Sequence, residues 1–250
     1  MIPMDWYFLS PHLDDAVLSC GGLINDRVKS GNRTAIITIC AGDPPDPPFS
    51  TLALSLHARW DIGPDPMVVR RTEDLAACLR LGATAIHLNI PDCIYRRNPL
   101  TGDALIEEDE HLFQPLPTFE FPLADQIGLA LTDLIPQEAP VVCPLTLGGH
   151  IDHHLTRRAA ETLQNPLLYY ADYPYLIRDQ LNPSDWIMPG WQKASFPISP
   201  AGLKAWIEAA AQHQSQISTF WGGLDEMRAA LTTYWSNGGG STLWGNPQPS

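Results

Sequence analysis

Short apolar runs alternate with amphipathic stretches through residue 171. Trp6–Ser10 predicts a first strand, and Thr34–Cys40 is a continuous β-branched run of the kind buried on both sheet faces. Between them Val17, Cys20, Ile24 and Val28 recur at helical spacing, which predicts a helix over Asp15–Lys29 closed by Gly31. Arg70–Leu81 reads as a helix stopped by Gly82, Ala85–Ile90 as a third strand, and Leu123–Ile135 as an amphipathic helix. Val141–Leu145 and Leu167–Ala171 complete five strands, with a helix over Asp152–Gln164 between them. Residues 43–66 are proline-rich and predict a long loop with a short helix at Leu52–Trp60; 98–122 reads as an irregular acidic insertion. Helical pattern returns at Ala201–Ser215 and Leu224–Trp235, and 238–250 reads as a loose tail. Strand–helix alternation without an internal linker predicts one Rossmann-like α/β/α domain over 1–250, with a mainly parallel sheet of about five or more strands covered on both faces.

Composition narrows the class. At 250 residues, with 44% hydrophobic and 17% charged positions, the chain suits a folded domain rather than a disordered one. A net charge of -13 argues against nucleic acid or an anionic membrane as the main partner, and no run approaches a membrane-spanning length. The five cysteines form no CxxC pair and lie in apolar surroundings, and the start of the chain has no basic region followed by a long apolar stretch. A cytoplasmic protein is expected.

Two polar clusters carry the chemistry. Ser10-Pro11-His12-Leu13-Asp14-Asp15 follows the first strand, and His150-Ile151-Asp152-His153-His154 follows the fourth. In an open α/β sheet both turns lie on the edge that forms the binding crevice. His12, an aspartate of the first cluster and a histidine of the second can supply the three ligands of a catalytic zinc site, and the remaining carboxylate can serve as general base. Residue type and spacing leave two points open. Asp14 and Asp15 can exchange the roles of ligand and base, and either can simply cap the helix that follows. The histidines can equally be solvated residues at a helix start.

Pro11-His12-Leu13-Asp14-Asp15 and His150-Ile151-Asp152-His153 resemble the two motifs of the PIG-L/LmbE-like de-N-acetylases. The resemblance extends to Arg70-x-x-Glu73 before Leu81-Gly82, to Pro91-Asp92, and to His213-Gln214-Ser215-Gln216. It implies that His12, Asp15 and His153 bind Zn²⁺, with Fe²⁺ also suited to such a set, and that Asp14 is the general base. It further implies that His150 acts at the oxyanion and that Asp152 orients or charges a neighbouring histidine. Arg70 and Asp92 are candidate substrate-binding residues, with surface exposure and turn formation as their ordinary alternatives. Leu13, Ala16 and Gly148 depart from the family pattern, which more often has proline, glutamate and, in some members, tyrosine there.

The expected activity is removal of an N-acetyl group from an amino sugar or an N-acetylglucosaminyl glycoconjugate. The expected partner is thus a small molecule, with a homo-oligomer left open. Two alternatives remain: an amidase or deacylase acting on a thiol conjugate or longer acyl chain, and a non-catalytic sugar- or metal-binding protein.

Overall fold

The computed structural model describes residues 6–61, 63 and 65–245. The first strand, β1 (Trp6–Ser10), leads into α1 (Asp15–Lys29) and β2 (Thr34–Thr38). Helices α2 (Thr51–Trp60) and α3 (Pro66–Leu81) precede β3 (Thr84–His87). After three single-turn helices in 93–120 come α4 (Phe121–Leu134), β4 (Val141–Pro144), α5 (Ile151–Ala160) and β5 (Leu167–Tyr170). The remainder forms α6 (Tyr175–Arg178), β6 (Gln192–Ser195), α7 (Pro200–Ala210), α8 (Gln214–Phe220), α9 (Leu224–Ser236) and β7 (Thr242–Gly245).

The strands join in one sheet, in the order β3-β2-β1-β4-β5-β7-β6. The first five are parallel; β7 and β6 run antiparallel at one edge. The fold is the expected Rossmann-like α/β arrangement. A buried cluster on one face packs Phe8, Leu18, Ile24 and Ile36 against Trp206, Met227 and Leu231. On the other face Leu9, Ile37, Val141 and Cys143 meet Ile127, Leu131, Leu155 and Ala159 of α4 and α5. The connection from β1 leads outward to β2, whereas β4 lies on the other side of β1. This reversal of direction opens the crevice at the carboxyl ends of β1 and β4, where ligands bind in such sheets.

Local departures have physical causes. The tail expected to be loose from 238 instead supplies β7, whose Thr242–Gly245 backbone pairs with both β5 and β6; residues 246–250 lie outside the described part. The helix expected over Ala201–Ser215 is two helices broken at His213, because Glu73 of α3 accepts from the Ser215 backbone N–H (2.9 Å) and hydroxyl (2.6 Å) and restarts the chain as α8. Helix α3 begins at Pro66, ahead of the expected Arg70, since proline at the first helical position has no N–H to lose. The Gly21-Gly22 pair inside α1 marks a close helix approach. A Cβ on Gly21 would overlap the Trp206 indole, and one on Gly22 would lie 2.6 Å from Ile198 Cγ2.

Candidate active site

The turn after β1 is shaped by Ser10. Its hydroxyl donates to the His12 carbonyl (2.6 Å) and accepts from the Ala16 N–H (2.9 Å), so Ser10 supplies the cap of α1. Asp14 occupies the N-cap position without a side-chain capping bond, which frees it from that structural role, whereas Asp15 Oδ2 accepts from the His12 backbone N–H at 2.8 Å and holds the turn. His12, Asp14 and Asp15 are each at most 8% exposed. The turn sends Asp15 inward towards the histidines, while Asp14 faces the pocket beside Arg70, whose Nη2 is 3.8 Å away.

Two imidazoles converge on one oxygen. Asp15 Oδ2 lies 3.1 Å from His12 Nδ1 and 3.4 Å from His153 Nε2. The far nitrogen of each ring faces a carboxylate: His12 Nε2 is 3.0 Å from Asp152 Oδ2, and His153 Nδ1 is 2.6 Å from Asp172 Oδ1. Each ring thus has one nitrogen against an outer carboxylate and the other against Asp15; a cation placed between the rings and Asp15 would take the inner nitrogens as lone pairs and leave the ring protons facing Asp152 and Asp172. His153 Nε2 is buried with no hydrogen-bond partner among the described residues. Tetrahedral bonds of about 2.0–2.1 Å would set ligand atoms roughly 3.3 Å apart, which the two spacings around Asp15 Oδ2 match. The donor set therefore fits a divalent metal ion. The ring nitrogens of His12, His150 and His153 also lie within 4.8 Å of one another.

Hydrogen bonding separates His150 from the other two. It caps α5, with Nδ1 accepting from the Asp152 backbone N–H at 3.2 Å. Its proton is then on Nε2, so His150 presents a donor and no lone pair. Burial, then the neighbouring His12 and His153, holds its pKa well below the ordinary histidine value, so it is neutral.

The charges around it are balanced. Burial alone would raise the Asp152 carboxyl, but Arg96 and the His12 bond hold it well below the usual carboxylate range. Arg96 Nη1 is 2.7 Å from Asp152 Oδ1, and Arg96 is anchored in turn by Glu120 at 2.7–2.8 Å. Burial likewise opposes charge on His153, yet Asp15 and Asp172 raise it to about 9, and His12 is also raised despite burial, by Asp92, Asp15 and Asp152. The cluster thus favours a positive charge at its centre. Burial and the adjacent Asp15 push Asp14 up to about 7, in the range of an effective base near neutral pH.

Arg70 and Asp92 both reach the pocket. Arg70 is 4% exposed and stacks 4.8 Å from the Trp60 ring centroid. Asp92 caps the short turn at 93–95 by accepting from the Ile94 N–H (3.2 Å), and its other oxygen is 3.6 Å from His12 Nε2. The pocket encloses about 310 Å³, with Phe113, Phe220 and Tyr175 among the groups on its walls. A larger cavity of about 450 Å³ lies among Tyr170, Tyr173, Leu176, Tyr234 and Trp244, but no carboxylate, imidazole or cationic side chain lines it. Gly148, at φ +86, leaves room for the Tyr175 ring; a Cβ there would meet Tyr175 at 2.9 Å.

Asp172, Arg96 and Glu120 were not singled out from the sequence. Asp172 carried a usable signal, being the first polar residue after the apolar run 167–171, as His12 and His150 follow theirs. Arg96 and Glu120 carried none, because their partnership spans the irregular 98–122 segment.

An open α/β sheet that gathers two imidazoles and two carboxylates at its switch point is suited to metal-assisted hydrolysis. The family model "PIG-L: GlcNAc-PI de-N-acetylase" matches residues 7–163, and the chain belongs to that family. It is 26% identical over 206 residues to the 2'-N-acetylparomamine deacetylase of Niallia circulans, covering 74% of this chain and 71% of the relative. It superposes on the zinc-inhibited form of a teicoplanin deacetylase with a TM-score of 0.79, at 26% identity over 96% of this chain and 97% of the other. The N,N'-diacetylchitobiose deacetylase of Pyrococcus horikoshii shares the fold, with a TM-score of 0.54 at 14% identity over 96% of this chain and 82% of the other. The expected activity, hydrolysis of an N-acetyl group by a deacetylase, is borne out at this level. No helix among the described residues is long and apolar enough to cross a membrane.

Proposed function

We propose that the chain is a zinc-dependent deacetylase, with Fe²⁺ as the alternative ion, acting on an N-acetylated amino sugar or N-acetylglucosaminyl glycoconjugate. One observation carries this reading: one nitrogen of His12 and one of His153 lie 3.1 and 3.4 Å from the same Asp15 oxygen, while the other nitrogen of each ring is backed by Asp152 or Asp172. His12, Asp15 and His153 would hold the ion. When bound, such an ion lowers the pKa of its water and polarises a carbonyl. Asp14, at the pocket surface with a pKa near neutrality, takes the proton of the attacking water and delivers it to the departing amine. His150 donates from Nε2 to the oxygen that gains charge on the acetyl carbon, a task that suits a neutral ring with a fixed tautomer. Arg70 and Asp92 offer a cationic donor and an acceptor to the sugar. The amino-sugar class follows from the named substrates of the relatives and from a pocket at the small end of the ~300–1,000 Å³ range of ligand sites. The five free, buried cysteines fit a reducing, cytoplasmic setting, and one continuous sheet over the described residues fits a single domain.

The test is acetate and amine release from N-acetylated amino sugars by metal-free protein titrated separately with Zn²⁺ and Fe²⁺. Asp14→Asn is expected to lower turnover by about 10²–10⁴-fold while metal binding persists. Full activity in that variant would sink the assignment of the base. Absence of turnover with every ion and sugar would leave a binding protein.

A further inference from the structure

Gln216 lines the catalytic pocket although it belongs to α8, far along the chain from both polar clusters. Two side chains fix how it sits. Glu73 of α3 accepts twice from Ser215, through Oε1 from the backbone N–H (2.9 Å) and through Oε2 from the hydroxyl (2.6 Å). A carboxylate has nothing to donate, so the Ser215 hydroxyl proton is committed to Glu73. Ser215 Oγ is then free only to accept, and its next neighbour, 2.9 Å away, must be the NH₂ of the Gln216 amide. The amide cannot be flipped without setting its oxygen against a lone pair. Its carbonyl oxygen, Oε1, has no partner among the described residues and belongs to a side chain on the pocket wall. Gln216 is 6% exposed and Ser215 5%, so the relay runs through the interior and its direction is not set by solvent.

We propose that Gln216 is a specificity-determining residue whose Oε1 accepts a hydrogen bond from a ring hydroxyl of the bound sugar, held in that orientation by the Glu73–Ser215 relay. The inference rests on the amino-sugar reading above. It gives the His213–Gln216 segment and Glu73 a role that the reacting groups do not need. The ligand chemistry follows from the free atom: a carbonyl oxygen selects a donor, so the recognised group is a hydroxyl in place of a ring ether, a deoxy position or an anion.

The relay can be reversed by design. In Gln216→Glu the new carboxylate meets a Ser215 Oγ that has no proton to give. In Glu73→Gln the direction of the Ser215 hydroxyl is no longer imposed. In the double variant the proton chain runs the other way. The amide introduced at position 73 donates to Ser215 Oγ, and the Ser215 hydroxyl donates to the carboxylate introduced at position 216. Every bond is again satisfied, and an acceptor still faces the pocket.

The experiment measures Kd by calorimetry, and kcat and KM by acetate release, for N-acetylglucosamine and its 3-, 4- and 6-deoxy analogues on the metal-loaded enzyme. Gln216→Leu is expected to weaken the parent sugar about tenfold, the worth of one unmade hydrogen bond, with kcat nearly unchanged. One deoxy analogue alone should bind wild type and variant equally. The exchange Glu73→Gln/Gln216→Glu should recover most of the affinity lost in either single variant. An equal effect of Gln216→Leu on all four sugars would overturn the proposal and leave a shape role or a contact to the acetamide N–H. Unchanged affinity for the parent sugar would also overturn it. Binding without turnover would preserve this inference and refute N-acetylglucosamine as a substrate, whereas absence of binding to the wild type would overturn this inference.

Discussion

Asp172→Asn isolates the carboxylate behind His153, one of the proposed metal ligands. Asp172 uses both oxygens: Oδ2 accepts from the Leu147 N–H at 2.8 Å, and Oδ1 faces His153 Nδ1 at 2.6 Å. An asparagine has only one oxygen for these two donors. If it stays on Leu147, the new NH₂ meets His153 and forces Nδ1 to accept. The ring proton then moves to Nε2 and points at Asp15 Oδ2, the direction in which a lone pair is required. If the oxygen turns to His153 instead, the NH₂ opposes the Leu147 N–H in a place only 1% exposed, at a cost of about 1–3 kcal/mol. Either way the ligand is presented in the required tautomer less often. Loss of such an outer partner ordinarily weakens metal binding about 10–100-fold, roughly 1.4–2.7 kcal/mol. Competition against a chromogenic Zn²⁺ chelator measures this directly on purified protein, with circular dichroism to verify the fold. Affinity within about threefold of wild type in a folded variant would refute the tautomer reasoning, and with it the role of Asp172.

Further expectations follow from the fold. Gly21→Ala should destabilise by about 1–3 kcal/mol despite alanine's higher helix propensity, because its methyl overlaps the Trp206 indole; pairing it with Trp206→Leu should return part of the loss in a thermal melt. His213 is buried with neither ring nitrogen partnered among the described residues, and burial lowers its pKa to about 4. Below the unfolded value of about 6.5 the unfolded chain binds a proton that the native chain refuses, so stability falls as pH drops from there towards 4. That loss amounts to about 2 kcal/mol between pH 7 and 5, and His213→Asn should remove it from urea titrations at the two pH values; an unchanged slope would exclude His213 as its source. Truncation before Thr242 should lower the urea midpoint markedly, since it strips the strand that joins β6 to β5; an unchanged midpoint would mean β7 is dispensable.

The parallel half of the sheet was legible because its central strands are buried on both faces and announce themselves as continuous apolar runs, as Thr34–Cys40 does. The His12 and His150 clusters were legible for a related reason: polar residues directly after such a run fall at the carboxyl edge of the sheet. Asp172 obeys the same rule and could have been found by it. The antiparallel edge could not. Gln192–Ser195 is largely exposed, and Thr242–Gly245 follows a glycine run; each becomes a strand only through pairing with the other and with β5. The break at His213 was hidden as well, because its cause, Glu73, lies on another helix.

The two clusters differ from a list of ligands in that each completes the other. Asp152, from the second cluster, sets the tautomer of His12 in the first; Asp15, from the first, is the oxygen that His153 of the second faces. Neither cluster alone brings two imidazole nitrogens and a carboxylate oxygen to one point, so the site exists only where β1 and β4 run side by side. This pairing puts Tyr7 opposite Val141 and Phe8 opposite Val142, which sets the reach between the turn after β1 and the turn after β4. A shift of even one residue along β4 would move His153 by about 3.3 Å, far outside the tolerance of a metal bond. Packing of the flanking Leu9, Val141, Val142 and Cys143, all 0% exposed, is therefore what fixes the chemistry of the crevice. Enlarging one of these side chains should weaken metal affinity even though none is among the proposed ligands.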